Sequence, residues 1–272
     1  MSPHAPSDRW GQRSALLLGA FTIAVCIFLI SPILVVFLSS LTTVEYVSFP
    51  PVGLSLRWYG EVLSNDEFSG SLLVSLRLAL MSAAIATSAG VLAAVGIVRL
   101  RFPGRDALNS LFLSPLVIPG IVLGAAILQL YARSGVASSS FSLLLAHIAI
   151  GMPYVIRLMV GSLTGFDQRL ELAAQNLGAS PVTAFRRITL PILFPSIAGA
   201  AAFSFIISFE DVNLSLFLAS PQATTFPVRI FTYMSQESSP IVSAAGSLLV
   251  LIVLIAAIVV DRLVGLARAV GK

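Results

Sequence analysis

Two adjacent acids, Glu210 and Asp211, lie within a long apolar stretch in the C-terminal third of the chain. A charged side chain that faces lipid costs roughly 2.5 to 3.5 kcal/mol on insertion scales, so both carboxylates are expected to face protein or water. Ionised carboxylates accept hydrogen bonds and attract cations. The pair therefore indicates a site for a cation inside a membrane protein, and not a catalytic centre.

The polar residues around these acids follow a helical pattern. Four of them are spaced four, three and four residues apart, and two more flank that row. Residues at such spacing align on one face, which predicts one continuous helix with a polar stripe whose acids lie beyond the membrane centre, toward the outside. The candidate solute-pathway residues are Ser204, Ser208, Glu210, Asp211, Asn213 and Ser215.

The sequence leaves several roles open for the stripe. It could line a translocation pathway in which Asp211, with Glu210 beside it, favours a cationic solute. The acids could instead form a structural ion pair, for example with Arg77 of an earlier span, or lie in the outer membrane interface. A stand-alone transporter driven by an ion gradient could also use both acids as proton or sodium sites.

Enzymatic chemistry has little support in the sequence. Lys272 is the only lysine, so no phosphate-binding loop ending in Gly-Lys-Ser/Thr is present, and ATP hydrolysis would require another polypeptide. Cys26 is the single cysteine, and His4 and His147 lie far apart in the chain, which does not suggest a metal site. No Ser/His/Asp or Cys/His nucleophile arrangement can be assembled from these residues.

The composition places the chain in a lipid bilayer, because 57% of its 272 residues are hydrophobic and only 10% are charged. Segments long enough to cross a core of about 30 Å at about 1.5 Å per residue recur six times. We therefore predict an all-α integral membrane protein with a single domain, 1–272. Pro115 and Pro119 should kink the third span. The predicted spans are about 14–38, 71–98, 107–131, 141–163, 196–220 and 240–260.

The basic residues predict the orientation of these spans. Six crossings put both termini on one side, and twelve of the sixteen Lys and Arg residues then lie on that side or at the end of a span that reaches it. The excess of positive charge marks the cytoplasmic side, which holds both termini and the loop 164–195. The basic pI has the same origin and does not indicate binding to nucleic acid. The exceptions are Arg57, Arg77, Arg133 and Arg229.

The cytoplasmic interval 167–191, DQRLELAAQNLGASPVTAFRRITLP, indicates two short helices joined by a turn. Asp167 can cap the first helix, and Gly178 suits the left-handed position that ends it. Ser180 and Pro181 are typical of the start of a second helix, which Pro191 should disrupt. A stiff element of this kind outside the membrane favours contact with another protein.

This interval resembles the cytoplasmic loop in the membrane subunits of bacterial binding-protein-dependent ABC importers, whose pattern is Glu-Ala-Ala, three residues, Gly, nine residues, Ile, one residue, Leu-Pro. One position departs from that pattern: Leu172 stands six residues before Gly178, and the acid Glu171 lies one place earlier, about 100° round a helix. The resemblance implies a coupling helix that sits in a groove of an ATPase subunit. The implied coupling residues are Glu171, Ala173, Ala174, Gly178, Ala179, Ser180, Ile188, Leu190 and Pro191.

The segments SFEDVNLSLFLASP, FPVRIF and SPIVSAAGSLLVLI are similar to the spermidine/putrescine branch of these importers. That resemblance implies a type I importer permease fold in the bacterial inner membrane, with no cofactor bound by this chain. The implied partners are membrane lipid, two ATPase subunits that bind ATP and magnesium, a second permease subunit that is a nonidentical homologue, and an extracytoplasmic solute-binding protein. The implied solute is a polyamine; ferric iron, phosphonates and opines, which related branches carry, are alternatives.

Overall fold

The computed structural model describes residues 9–136, 139–220 and 223–270, and within them all regular structure is helical. Pro221 of the polyamine-branch motif and the terminal Lys272 lie outside these residues. A 3₁₀ turn spans Ser114–Leu116 and a π-helical turn spans Phe185–Thr189. The α-helices are α1 Arg9–Ser39, α2 Arg57–Ser64, α3 Asp66–Arg99, α4 Arg105–Leu113, α5 Gly120–Arg133, α6 Ser140–Thr164, α7 Arg169–Asn176, α8 Pro181–Ala184, α9 Leu190–Glu210, α10 Asn213–Leu218, α11 Phe226–Met234 and α12 Pro240–Val270.

The chain divides into two compact units, one formed by residues up to 62 with 237–247, and the other by 63–236 with the residues from 248 onward. In the first unit, the segment after α1 folds back on the end of that helix. The Trp58 indole donates to the Thr42 carbonyl at 2.7 Å, and the Tyr59 and Ser40 hydroxyls share a hydrogen bond of 2.7 Å. The second unit contains the sites considered below.

Three long helices, α3, α6 and α9, form the core of the second unit. Toward their N-terminal ends α3 and α6 meet where Leu78 packs in one cluster with Leu143, and toward their C-terminal ends they meet where Ala94 packs with Met159. The two helices therefore run in the same direction. Leu193, near the start of α9, joins the second cluster, so α9 runs antiparallel to both.

The parallel arrangement of α3 and α6 decides how the third span is built. The chain between two parallel spans must return across the bilayer, so the helices between α3 and α6 together make one crossing. They do so as two pieces, Arg105–Leu116 and Gly120–Arg133, bent by 107° at the break. Pro115 and Pro119 explain the break, since proline removes a backbone N–H donor and disfavours a helical conformation in the preceding residue. The predicted kink is thus a complete break.

Five single helices are also long and apolar enough to cross a membrane, which with the broken pair gives the six predicted crossings. Their boundaries differ from the predictions mainly around 196–220, because α9 ends at Glu210. The five are Ala15–Ser39, Asp66–Arg99, Ser140–Thr164, Pro181–Glu210 and Pro240–Arg262.

Pro191 does not disrupt the helix that precedes it, which corrects the expectation from sequence. The chain stays helical from Pro181 to Glu210, passing through the π-helical turn just before the proline. There the Leu190 N–H bonds to the Phe185 carbonyl, five residues back. The wider turn accommodates the ring of Pro191 and its missing donor without ending the helix.

Candidate functional site

The turn of the cytoplasmic segment is built as the sequence predicts. The Asp167 carboxylate accepts from the backbone N–H two residues later, at 2.9 Å, next to the start of α7. Gly178 follows α7 with φ +95°, the left-handed conformation that glycine adopts without a Cβ penalty. Ser180 then caps α8 by accepting from the backbone N–H three residues later, at 3.2 Å, and Pro181 is its first residue.

Glu171 faces the rest of the chain. The residue is only 8% exposed, and its carboxylate lies against the cytoplasmic end of α3. Arg99 donates to it from both terminal nitrogens, Nη2 to Oε1 at 2.8 Å and Nη1 to Oε2 at 3.0 Å, and the Thr189 hydroxyl also donates to Oε1. The offset of one residue from the importer pattern turns this acid inward, and its part in coupling to an ATPase stays a prediction.

The outer face of the segment is apolar. Leu172, Leu177 and Val182 are exposed, Leu177 to 90%. Leu172 and Leu177 lie outside the candidate membrane spans, and Val182 is the second residue of the helical stretch Pro181–Glu210. We call these three residues the coupling surface. Of the other predicted coupling residues, Ala173, Gly178, Ser180, Leu190 and Pro191 are exposed, and Ala174, Ala179 and Ile188 are half-buried.

The predicted polar stripe does not lie on one helix. α9 ends at Glu210, Asp211 has the extended ψ of 123°, and Asn213 begins the short helix α10. Ser204, Ser208 and Ser215 are buried in the protein in this conformation, and their place on a solute pathway stays a prediction.

Glu210, Asp211 and Asn213 remain as candidates for contact with a solute. Glu210 and Asn213 are exposed, and Asp211 is half-buried at the break between α9 and α10. A discontinuous helix inside a membrane is typical of transporter binding sites, because its free ends and polar side chains can face an ion or a solute.

Asp211 uses its two carboxylate oxygens differently. Oδ2 accepts from both the backbone N–H and the hydroxyl of Ser215, at 2.8 and 3.0 Å. Oδ1 has only a long contact of 3.4 Å to the Leu214 N–H. One oxygen therefore caps α10, and the other keeps capacity for a further hydrogen bond or a cation.

The alternative of a structural ion pair with Arg77 is not what the structure shows. Arg77 is exposed on α3, and among the described residues it makes no ion pair with Asp211. Described His, Cys, Asp and Glu side chains also form no group of three that could hold a metal ion.

Sequence reasoning missed His147, which is fully buried on α6. Its Nδ1 lies 2.8 Å from the Ser208 hydroxyl, and its Nε2 lies 3.0 Å from the Ser215 hydroxyl. The only available signal was an ionisable residue within an apolar span, which by itself suggests a polar partner on a neighbouring helix.

Two glycines of α5 let α10 approach closely. A Cβ at Gly124 would lie 2.9 Å from the Phe217 ring and 3.2 Å from the Leu214 Cα, and one at Gly120 would lie 3.2 Å from the Asn213 Cβ. Small residues at such contacts allow helix backbones in membranes to pack together. The second half of the broken span therefore supports the short helix behind Asp211.

Known proteins match the chain along most of its length. A family model described as a binding-protein-dependent transport system inner membrane component matches residues 86–268. The spermidine/putrescine transport system permease protein PotC of Haemophilus influenzae is 32% identical, over 91% of this chain and 96% of PotC. The trehalose transport system permease protein SugB of Mycobacterium tuberculosis is 31% identical, over 90% of this chain and 92% of SugB.

A solved structure supports the same fold. A chain of the bacterial alginate ABC transporter, crystallised in complex with an alginate pentasaccharide-bound periplasmic protein, superposes with a TM-score of 0.72 over 94% of this chain and 96% of its own. At 16% identity this likeness concerns the fold alone. With its six crossings and its helix–Gly–helix segment, the chain belongs to the inner-membrane components of binding-protein-dependent ABC importers, as a multi-pass permease subunit without catalytic activity of its own.

Proposed function

We propose that this permease subunit carries a polyamine such as spermidine or putrescine, or a related small amine compound. The observation that carries the proposal is the pair of acids at the helix break, Glu210 exposed and Asp211 with one oxygen largely uncommitted. Carboxylates form strong charge-assisted hydrogen bonds with ammonium groups. A polyamine presents several such groups to a small cluster of acceptors.

The end of α9 adds to the negative character of this site. A helix carries a partial negative charge at its C-terminus, and α9 ends at Glu210. Two carboxylates and a helix C-terminus in one place favour a cation and disfavour an anion such as a phosphonate.

Overall identity does not distinguish a polyamine from other solutes, because a trehalose permease is nearly as similar to this chain as a polyamine permease is. A neutral sugar carries no charge that could balance two carboxylates, and unbalanced charge inside a membrane is costly. The acids therefore support a polyamine more than a sugar.

We further propose that the working assembly contains this chain, a second, nonidentical permease subunit, two ATPase subunits and an extracytoplasmic binding protein that delivers the solute. The ATPases, and not this chain, bind ATP and magnesium. The exposed coupling surface is the contact for one ATPase, and closure of the ATPase pair moves α7 and α8 and reorients the spans around the acids.

The test is uptake by the assembled transporter in proteoliposomes, with its own binding protein and internal ATP. Labelled spermidine, putrescine, trehalose, ferric iron and a phosphonate are compared at equal concentration. We expect ATP-dependent uptake of a polyamine that unlabelled polyamine abolishes and trehalose does not. Uptake of any other member of the panel in preference to polyamines would overturn the assignment.

A further inference from the structure

A row of buried polar side chains joins four helices beside the proposed solute site. Ser82 of α3 donates to the Ser208 hydroxyl of α9 at 2.9 Å, and Ser208 lies 2.8 Å from Nδ1 of His147 on α6. The Nε2 of His147 lies 3.0 Å from the Ser215 hydroxyl of α10, which in turn bonds to Asp211 Oδ2. We call these five residues the His147 row.

Asp211 fixes the direction of the hydrogen bonds at its end of the row. An ionised carboxylate only accepts, so the single hydroxyl proton of Ser215 points to Oδ2. The Ser215 oxygen must then accept from His147, which places a proton on Nε2. In a neutral imidazole Nδ1 is left as the acceptor, and Ser208, which accepts from Ser82, donates to it.

The row does not reach the solute itself. His147, Ser82 and Ser215 have no exposed surface and Ser208 is 3% exposed, whereas Asp211 is half-buried and can be reached. Any influence of His147 on a solute therefore passes through Asp211.

The short helix α10 needs such an anchor. It has six residues, which is too few for a helix to be stable without tertiary contacts. Its first turn depends on Asp211 and Ser215, and the imidazole ties Ser215 to the long helix α6.

We propose that His147 is a positioning residue for the solute site: by donating from Nε2 to Ser215, it holds Asp211 Oδ2 against α10 and leaves Oδ1 turned to the solute. The proposal rests on the function proposed above. In this arrangement His147 does not contact the solute and acts through the proton on its Nε2.

Two substitutions of His147 distinguish hydrogen-bond donation to Ser215 from a role in packing alone. The side-chain amide nitrogen of glutamine can take the place of the donor Nε2, and the amide oxygen of asparagine can take the place of the acceptor Nδ1. His147→Gln therefore keeps a donor for Ser215, whereas His147→Asn keeps only the partner of Ser208. Both remove the ring, and asparagine is one methylene shorter, so a packing role predicts a loss of affinity that follows the loss of thermal stability in each variant.

The first measurement is equilibrium binding of labelled spermidine to the purified permease–ATPase complex, without the binding protein, so that affinity reports on the membrane site. We expect about a tenfold weaker affinity for His147→Asn and Ser215→Ala, equivalent to about 1.4 kcal/mol, and less than threefold for His147→Gln. Ser88→Ala, at an exposed serine of α3 outside the row, is the control and should bind like wild type. Equal losses in the two His147 variants, with equal thermal stability, would overturn the proposal.

The second measurement does not depend on the solute. The chain contains two histidines. When a His4→Gln variant of this chain alone carries ¹⁵N-labelled histidine and is assembled with unlabelled partner subunits in lipid nanodiscs, the ¹⁵N imidazole resonances come from His147. We expect a protonated Nε2 whose signal changes in Ser215→Ala. A ring protonated only on Nδ1 would contradict the proposal. If the wild-type complex binds no polyamine, the proposed function fails, and the nitrogen resonances still decide the arrangement of His147.

Discussion

Arg99 holds Glu171 through both terminal guanidinium nitrogens, at 2.8 and 3.0 Å, and joins the start of the cytoplasmic segment to the end of α3. The Phe185 ring lies 5.3 Å from the same guanidinium, and Thr189 bonds to the same carboxylate. One ion pair thus connects α3, α7 and the π-helical turn that leads into α9. The contacts of this pair therefore link α7 to α3 and to the turn that begins α9.

Glu171→Gln should uncouple and destabilise the protein, because it leaves the Arg99 charge without its partner. Removing one partner of a buried pair costs about 3 to 5 kcal/mol, and the partial exposure of Arg99 places the loss toward the lower value. Thermal unfolding of the purified complex and solute uptake per ATP hydrolysed measure the two effects. Glu67→Gln is the control: its pair with Arg229 has a similar distance of 2.9 Å but a 66% exposed carboxylate, so about 1 kcal/mol or less should be lost. Equal effects of the two substitutions would contradict this role of Glu171.

Gly178→Val should weaken the docking of the ATPase. A β-branched residue at φ +95° is strained by roughly 1 to 3 kcal/mol, so the turn between α7 and α8 shifts. Recovery of the ATPase with the tagged permease is the measurement. Gly161→Ala is the control and should leave ATPase recovery unchanged, because Gly161 is helical and a Cβ there meets no atom within 4 Å. Normal ATPase recovery with Gly178→Val would argue against the turn as the docking element.

Leu177→Glu should abolish binding of the ATPase while leaving the permease folded. Leu177 is 90% exposed, so a charge there costs the isolated chain little but is costly once a partner covers it. Leu56→Glu is the matched control, a 70% exposed leucine in the segment predicted to lie on the opposite side of the membrane. Loss of ATPase binding in the Leu56 variant and not in the Leu177 variant would reverse the orientation.

Gly151→Ala should destabilise the contact between α6 and α9, because the new methyl group would collide with the Ser204 hydroxyl. Overpacking of this kind costs about 1 to 3 kcal/mol. Ser204→Ala alone should change little, since that hydroxyl oxygen is buried without a hydrogen-bond partner among the described residues. The double variant should recover part of the loss in a thermal-unfolding cycle, and strict additivity would exclude direct contact as the cause.

Features set by neighbouring residues were predictable from sequence. The turn at Gly178, the cap at Ser180 and the kink around Pro119 each depend on local backbone chemistry, and each is found in the structure, the kink as a complete break. The six crossings follow from the length and hydrophobicity of the segments, which are also local properties.

Features set by contacts between distant residues were not predictable in the same way. Helical spacing placed Ser204, Ser208 and Ser215 in one row, but it could not show that a carboxylate of Asp211 caps a new helix, or that a histidine 61 residues from Ser208 fills the space between. The inward position of Glu171 likewise depends on Arg99, 72 residues away. The continuous helix through Pro191 required a π-helical turn that no spacing indicates.

The most direct test of a cation site at the helix break is binding of labelled spermidine to the purified permease–ATPase complex carrying Glu210→Gln. Glu210 is exposed, so neutralising it should leave folding unchanged, and a lost charge-assisted hydrogen bond of roughly 1.5 to 3 kcal/mol predicts an affinity at least about tenfold weaker. Asp106→Asn, which neutralises an exposed acid beside Arg105, should bind like wild type. Unchanged affinity in the Glu210 variant would contradict the assignment of the solute site.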